Sequence, residues 1–250
     1  MNRALWIALS AAFAIGLWQA IVTLTGVPHF ILPAPLTVLN TLIDSRELIA
    51  GHALVTMTEV VLGLIAGSAL GFATALHLMS SPTARRLLMP VMVFSQSVPV
   101  FALAPVLTLW LGYGIWSKIV MIILIIYFPV TSNFLDGLQR TDPGYLDLAR
   151  TMQARARETL WRIRVPAALP AFGSGLKLAA VYAPIGAVIG EWVGASNGLG
   201  YLMLLANGRM KIDLMFAALF VLAVFTIAVH SLVSMLADWL ARRSAGTAAS

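Results

Sequence analysis

A run of thirty-one residues without a charge, Leu87 to Ser117, constrains this chain more than any other feature. A second uncharged run of twenty-two residues extends from Ala4 to Thr25. Crossing a hydrocarbon layer of ~30 Å takes about 20 residues at ~1.5 Å each, so the shorter run has the length of one membrane span. The longer run exceeds one straight span, and Pro90, Pro99 and Pro105 interrupt it. Composition agrees. Of 250 residues, 60% are hydrophobic and 10% charged, where soluble domains carry about a quarter charged residues. The chain is therefore integral to a membrane. The Ala4–Thr25 run is longer than the apolar core of a cleaved signal and lacks its small-residue exit, so it reads as a retained first helix.

The expected architecture is all-α, one transmembrane domain over 1–250 with six spans at about 4–25, 53–79, 87–111, 118–137, 168–194 and 214–240. Pro28, Pro33 and Pro35 deny a helix to the start of the interval after the first span. In the second span Gly63, Gly67 and Gly71 recur at four-residue steps, and in the fifth Gly186, Gly190 and Gly194 do the same. Such steps line up small residues on one helix face, where another backbone can approach closely in lipid. Glu59 lies one turn before the first groove and reads either as an interfacial glutamate or as part of a transport path. Glu191 is the second carboxylate near the membrane. The third span should be broken near Pro99. Broken helices persist at membrane depth only where protein or a cavity satisfies the freed backbone groups, which makes Ser95, Gln96 and Pro99 pathway candidates. A merely bent packing helix is the competing reading. Tyr182, beside Pro184 in the fifth span, joins the pathway candidates, and 195–213 reads as a re-entrant turn or short surface helix.

Six spans put both termini on one side. Eleven arginines fall on that side against four Lys or Arg on the other, which predicts cytoplasmic termini and a cytoplasmic loop over 140–167. The net charge of +6 is thereby a topological signal and not a sign of nucleic acid. There is no cysteine, so no disulfide and no thiolate metal site is available.

The cytoplasmic loop carries five arginines within fifteen residues (Arg150, Arg155, Arg157, Arg162 and Arg164). Yet Tyr145, Leu148, Ala149, Met152, Ala156, Leu160 and Ile163 recur at three- and four-residue steps, which gives one apolar face if the segment is helical. Two readings fit a basic amphipathic helix between spans. It lies on an anionic leaflet, or it presents its face to a soluble partner.

The register of this stretch resembles the EAA loop of ABC-transporter permeases, whose pattern is Glu-Ala-Ala, three residues, Gly, nine residues, Ile, one residue, Leu-Pro. Asp147, Leu148 and Ala149 take the first three places, Gln153 the glycine's, and Ile163, Val165 and Pro166 the last. The departures are Asp for Glu, Leu for the first Ala and Gln for Gly, the last the most consequential. Glycine suits a backbone that turns with positive φ, and glutamine does not. Either the turn takes a conformation that Gln153 tolerates or the helix runs past it. The resemblance implies a type I importer permease, with a coupling helix between helices 4 and 5 formed around Asp147–Met152. It also implies a separate cytoplasmic ATPase that uses the ATP, an extracytoplasmic solute-binding protein, pairing of two permease copies and location in a bacterial inner membrane. Pro166 and Pro170 are expected to stop the loop helix and aim the chain into the fifth span.

Enzymatic chemistry is not legible. No G-x-x-x-x-G-K-[ST] loop occurs, His29, His52, His77 and His230 are scattered, and no metal-ligand or catalytic constellation is present in the sequence. No cofactor is expected on this chain. Glu59, Lys177, Glu191 and His230 are the ionisable candidates inside spans, few for a self-sufficient secondary transporter, which is the competing class. The whole chain looks most like the importer branch that includes sulfonate, taurine, nitrate and thiamine-precursor systems. Two stretches, SQSVPVFALAPVLTLWLGYG and the one beginning YAPIGAVIGEWVG, are most similar to permeases for hydroxymethylpyrimidine-type thiamine precursors.

Overall fold

A computed structural model describes residues 3–247, over which helix follows helix and no strand occurs. The order is α1 (Arg3–Thr25), α2 (Pro35–Asp44), α3 (Arg46–Ser80), α4 (Pro82–Ser97), α5 (Val100–Leu111) and α6 (Ile115–Gln139). Then come α7 (Pro143–Thr151), α8 (Ala156–Thr159), a π-turn (Leu160–Arg164), α9 (Val165–Gly194), α10 (Leu199–Gly208) and α11 (Ile212–Thr247). Among the described residues, α3, α6, the continuous Ala156–Gly194 rod and α11 are long and apolar enough to cross a membrane. Helices α4 and α5 pass that test only as a pair, bent by 99°. Pro99 explains the break. It has no N–H to continue a helix, and the residue before a proline is driven out of helical conformation. Val98 is accordingly extended at ψ 123° and Pro99 at ψ 109°.

The chain divides into two compact units. One holds the residues up to Thr56 with Ser196–Val224. Within it α2 begins on Pro35, a residue whose fixed φ suits a first helical position. It buries Val38 and leaves Leu36, Leu39 and Ile43 exposed. Thr41 donates to the Asp213 carboxylate at 2.8 Å. The start of α10 is held by α3, because Thr56 Oγ1 accepts from Leu199 N at 2.7 Å and His52 Nδ1 from Gly198 N at 3.1 Å.

The other unit holds Met57–Ala195 with the residues from Phe225 onward, and α6 is its axis. Every fourth residue of α6 (Lys118, Ile122, Ile126, Val130, Phe134 and Leu138) is buried to within 1%. Helix α3 meets this column with its own small residues in matching steps. A methyl placed on Gly63 would fall 2.7 Å from Ile122, on Gly67 2.6 Å from Ile126, and on Gly71 2.8 Å from Val130. Both numberings climb together, so α3 and α6 run parallel in register. Helix α9 runs the other way, with Gly175 against the backbone of Val130, Gly186 against that of Ile122 and Gly190 against Lys118. Its Ala179, Ala183 and Ala187 are fully buried in the same core. Thr131 Oγ1 donates to Tyr127 O of its own helix at 2.7 Å and stands 3.2 Å from the Gly71 carbonyl of α3, so its one proton is shared between the two. At the far end Phe72, Phe134 and Phe172 bring one ring from each helix together, with centroids 4.7–5.3 Å apart.

Candidate functional site

The loop between α6 and α9 is built from short local devices. Asp142 caps α7 by accepting from Gly144 N at 2.7 Å, and Pro143 takes the first helical position. Asp147 pairs with Arg150 at 2.8 Å on the exposed surface. Helix α7 then ends in a Schellman turn. Ala154 N bonds Ala149 O and Gln153 N bonds Arg150 O, both at 2.9 Å, with Gln153 at φ 52°. The left-handed conformation is thus kept at the position of the family pattern's glycine, and a side chain that disfavours it occupies the place. This turn splits the apolar stripe that periodicity alone runs from Tyr145 to Ile163. On α7 Tyr145, Leu148 and Met152 are exposed (49%, 58% and 72%), while Ala149 is buried at 5%. Beyond the turn Leu160 and Ile163 are half-buried.

The second half corrects the role expected of the prolines. Pro166 and Pro170 do not stop a helix, which runs unbroken from Ala156 to Gly194. The π-turn supplies the reason. Val165 N reaches back to Leu160 O, a wider closure than the α-helical one, just ahead of Pro166, whose ring would otherwise press on the Arg162 carbonyl. Arg164 donates to Leu138 O at 2.8 Å and ties this rod to the end of α6.

A second site lies one step along the α3–α6 ladder, where glycine and isoleucine give way to Glu59 and Lys118. Glu191 of α9 completes it. The three side chains are 3%, 1% and 1% exposed. Lys118 donates to the Tyr113 carbonyl at 2.8 Å and to Gly194 O at 2.6 Å, so one ammonium binds the turn after α5 and the last residue of α9. The Glu59 and Glu191 carboxyl groups share a hydrogen bond and both feel the Lys118 charge. Glu59 Oε2 is buried without a hydrogen-bond partner. Glu59 is buried and stands inside α3, not at its end. Lys118 was the residue missed by sequence reasoning, because at the edge of an uncharged run it is indistinguishable from an ordinary flanking cation. Lys177 instead pairs with Asp238 at 2.9 Å on a partly exposed surface.

The remaining pathway candidates separate. Ser95 and Gln96 close α4 and Pro99 opens α5, so these three sit together at the break. Ser95 bonds the Tyr127 hydroxyl and the Met92 carbonyl, while Gln96 is exposed. Tyr182 is 42% exposed on α9. Among the described residues no group of three or more His, Cys, Asp or Glu side chains could hold a metal ion.

Known proteins are similar to this chain in sequence and in fold. The chain is 49% identical over 227 residues, 91% of each chain, to a probable ABC transporter permease protein of Haemophilus influenzae. It is 36% identical over 228 residues to the formylaminopyrimidine transport permease protein ThiX of Halalkalibacterium halodurans, covering 89% of this chain and 91% of that one. In fold it resembles a chain of the MetNI methionine ABC transporter in an inward-facing conformation, with a TM-score of 0.69, 16% identity and coverage of 79% of this chain and 98% of the other. Residues 60–246 match the family of binding-protein-dependent transport system inner membrane components. With more than half of its length in that match, the chain belongs to this family and is a multi-pass membrane permease subunit of an ABC importer, a transporter component and not an enzyme.

Proposed function

We propose that this permease passes a small aminopyrimidine of the thiamine-precursor type, released to it by an extracytoplasmic binding protein. A separate ATPase drives the cycle by docking on the exposed Tyr145–Leu148–Met152 face of α7, and two permease copies form the translocator. Both termini and the α7 loop lie in the cytoplasm. The observation that carries the substrate reading is the 36% identity over nearly the whole length to a permease named for formylaminopyrimidine transport. The chemistry at the α4–α5 break supports it. Ser95, Gln96 and Tyr127 offer neutral hydroxyl and amide groups suited to a heteroaromatic ring. The nearest buried cation of the span region described above, Lys118, already serves two carbonyls and is poorly placed to hold a sulfonate.

The docking face is read from exposure. Leu148 and Met152 project outward, whereas Ala149 packs inside the loop and contributes by letting α7 lie close. Apolar side chains on a short capped helix rimmed by arginines suit a cleft of a soluble partner, with the charges steering the encounter.

The experiment is reconstitution of the permease with its ATPase and binding protein, measuring ATP hydrolysis with aminopyrimidines and with sulfonates. Stimulation by aminopyrimidines is expected. Stimulation by sulfonates alone overturns the substrate reading but keeps the role. Met152→Asp is expected to release the ATPase on purification while leaving the permease folded, and retained ATPase removes the docking face. Solute flux independent of ATP and of the ATPase would sink the coupled mechanism altogether.

A further inference from the structure

A cavity of about 680 Å³ opens beside the α7 loop. Its walls come from three places: Met79 and Ser80 at the last turn of α3, Leu146 and Arg150 on α7, and Arg157, Trp161 and Arg164 on the α8–π-turn segment. Three arginines line it and no acidic residue does. We propose that this cavity holds the phosphate headgroup of an anionic membrane lipid.

Depth comes first. Met79 and Ser80 end a 35-residue helix that is long and apolar enough to cross the membrane, so the cavity lies on the headgroup side of that span. Trp161 in the wall is 48% exposed. An indole with one apolar and one wet side is a characteristic anchor at that level.

Charge comes second. Arg150 is engaged with Asp147, and Arg164 spends one nitrogen on the Leu138 carbonyl. Arg157 is exposed and forms no ion pair among the described residues. Arg164, held at Leu138, and Arg157 thus line one space, and guanidinium groups bind phosphate oxygens through charge-assisted hydrogen bonds. Basic pockets at the ends of membrane helices bind anionic headgroups on this principle.

Backbone geometry comes third. Arg157, Trp161 and Arg164 recur at four- and three-residue steps and so share one face of the rod, and the π-turn over Leu160–Arg164 falls within that wall. Such turns recur at functional sites. The cavity also lies on a different side of α7 from the exposed Leu148 and Met152, because Leu146 and Arg150 occupy the opposite flank of that helix. Occupation by lipid and contact with a soluble partner are therefore compatible.

The test uses the whole transporter, permease with ATPase and binding protein, in nanodiscs of phosphatidylcholine with a rising share of phosphatidylglycerol. Native mass spectrometry counts the anionic lipid retained by the permease. Arg157→Gln is expected to weaken retention about fivefold, and Arg157→Lys to restore part of it, since each basic residue near the headgroups contributes about that factor. Trp161→Ala is expected to weaken it further in the Arg157→Gln background. Equal retention by the wild type and Arg157→Gln overturns the proposal. So does retention that falls equally on adding millimolar inorganic phosphate to wild type and variant, which marks unspecific surface charge. Loss of the ATPase from Arg157→Gln with lipid retention unchanged also overturns it and assigns the arginine to the protein interface.

Discussion

Helix α6 is gripped on two sides, and the two grips differ in kind. Against α3 it offers side chains: Ile126 Cγ1 and Cδ1 fill the space above Gly67, and Val130 the space above Gly71. Against α9 it offers backbone: the Cα atoms of Ile122 and Val130 stand 3.1 Å from where methyls on Gly186 and Gly175 would be. In lipid, where no hydrophobic drive joins helices, both are ways of gaining close contact. They differ in what can yield. A side-chain knob can be shortened or turned, whereas two apposed backbones can only separate. The α9 contact is therefore the stiffer joint, and the α3 contact is the one that tolerates adjustment.

The largest effect is expected where both grips end, at Lys118. Lys118→Met removes the charged bonds to the Tyr113 and Gly194 carbonyls and the cation beside Glu59 and Glu191, at about 1.5–3 kcal/mol for each lost bond. Thermal melting of the purified permease should show it, and Lys118→Met combined with Glu59→Gln should recover part of the loss. A melting curve unchanged by Lys118→Met would mean that the cluster contributes nothing to the joint. Next come the two grips themselves. Gly67→Ala should cost about 1–3 kcal/mol through overpacking. Adding Ile126→Ala should cancel much of that cost, with a coupling of about 0.5–3 kcal/mol in a double-mutant cycle. Gly186→Ala with Ile122→Ala should show little such rescue, because the obstacle is the Ile122 backbone. Equal rescue on both sides erases the distinction. Smaller again is Gln153→Gly. Relief of a left-handed glutamine should stabilise the loop by about 1 kcal/mol, seen as slower amide exchange at Ala154, the donor of the turn. The smallest is Thr131→Val, which removes the hydroxyl shared between Tyr127 O and Gly71 O and should cost about 0.6 kcal/mol or less, since only part of that bond reaches α3.

How much of this was legible beforehand follows from where each signal resides. Uncharged runs report length, so the membrane class, the helical content and the break near Pro99 could be read directly. Glycine steps report that a face is flat but not which helix covers it, and nothing in the sequence says that Gly63 and Gly186 approach the same Ile122. The charge cluster was illegible for the same reason. Glu59, Lys118 and Glu191 are far apart in the chain, and only the parallel register of α3 with α6 brings the first two to one layer. In the loop, Gln153 was recognisable as an odd occupant of a glycine place, but two conformations were open to it. The hydrogen bonds to Ala149 and Arg150 select the left-handed one. The prolines misled because proline usually ends a helix. Here a π-turn that ends two residues before Pro166 removes the conflict, and its sequence carries no mark of one.

The uninterrupted rod has a mechanical meaning. Thirty-nine residues from Ala156 to Gly194 measure about 58 Å at ~1.5 Å per residue. Tilting such a beam by a tenth of a radian about one end sweeps the other through about 6 Å, roughly one helical pitch. Its near end adjoins the α7 loop and its far end is fastened by Lys118 at Gly194. A stroke applied at the first place can therefore reach the second as leverage, with no chain of intermediate contacts to relay it. The π-turn close to the end where the stroke enters is where that beam is wound differently, so part of the stroke can be taken up there as twist.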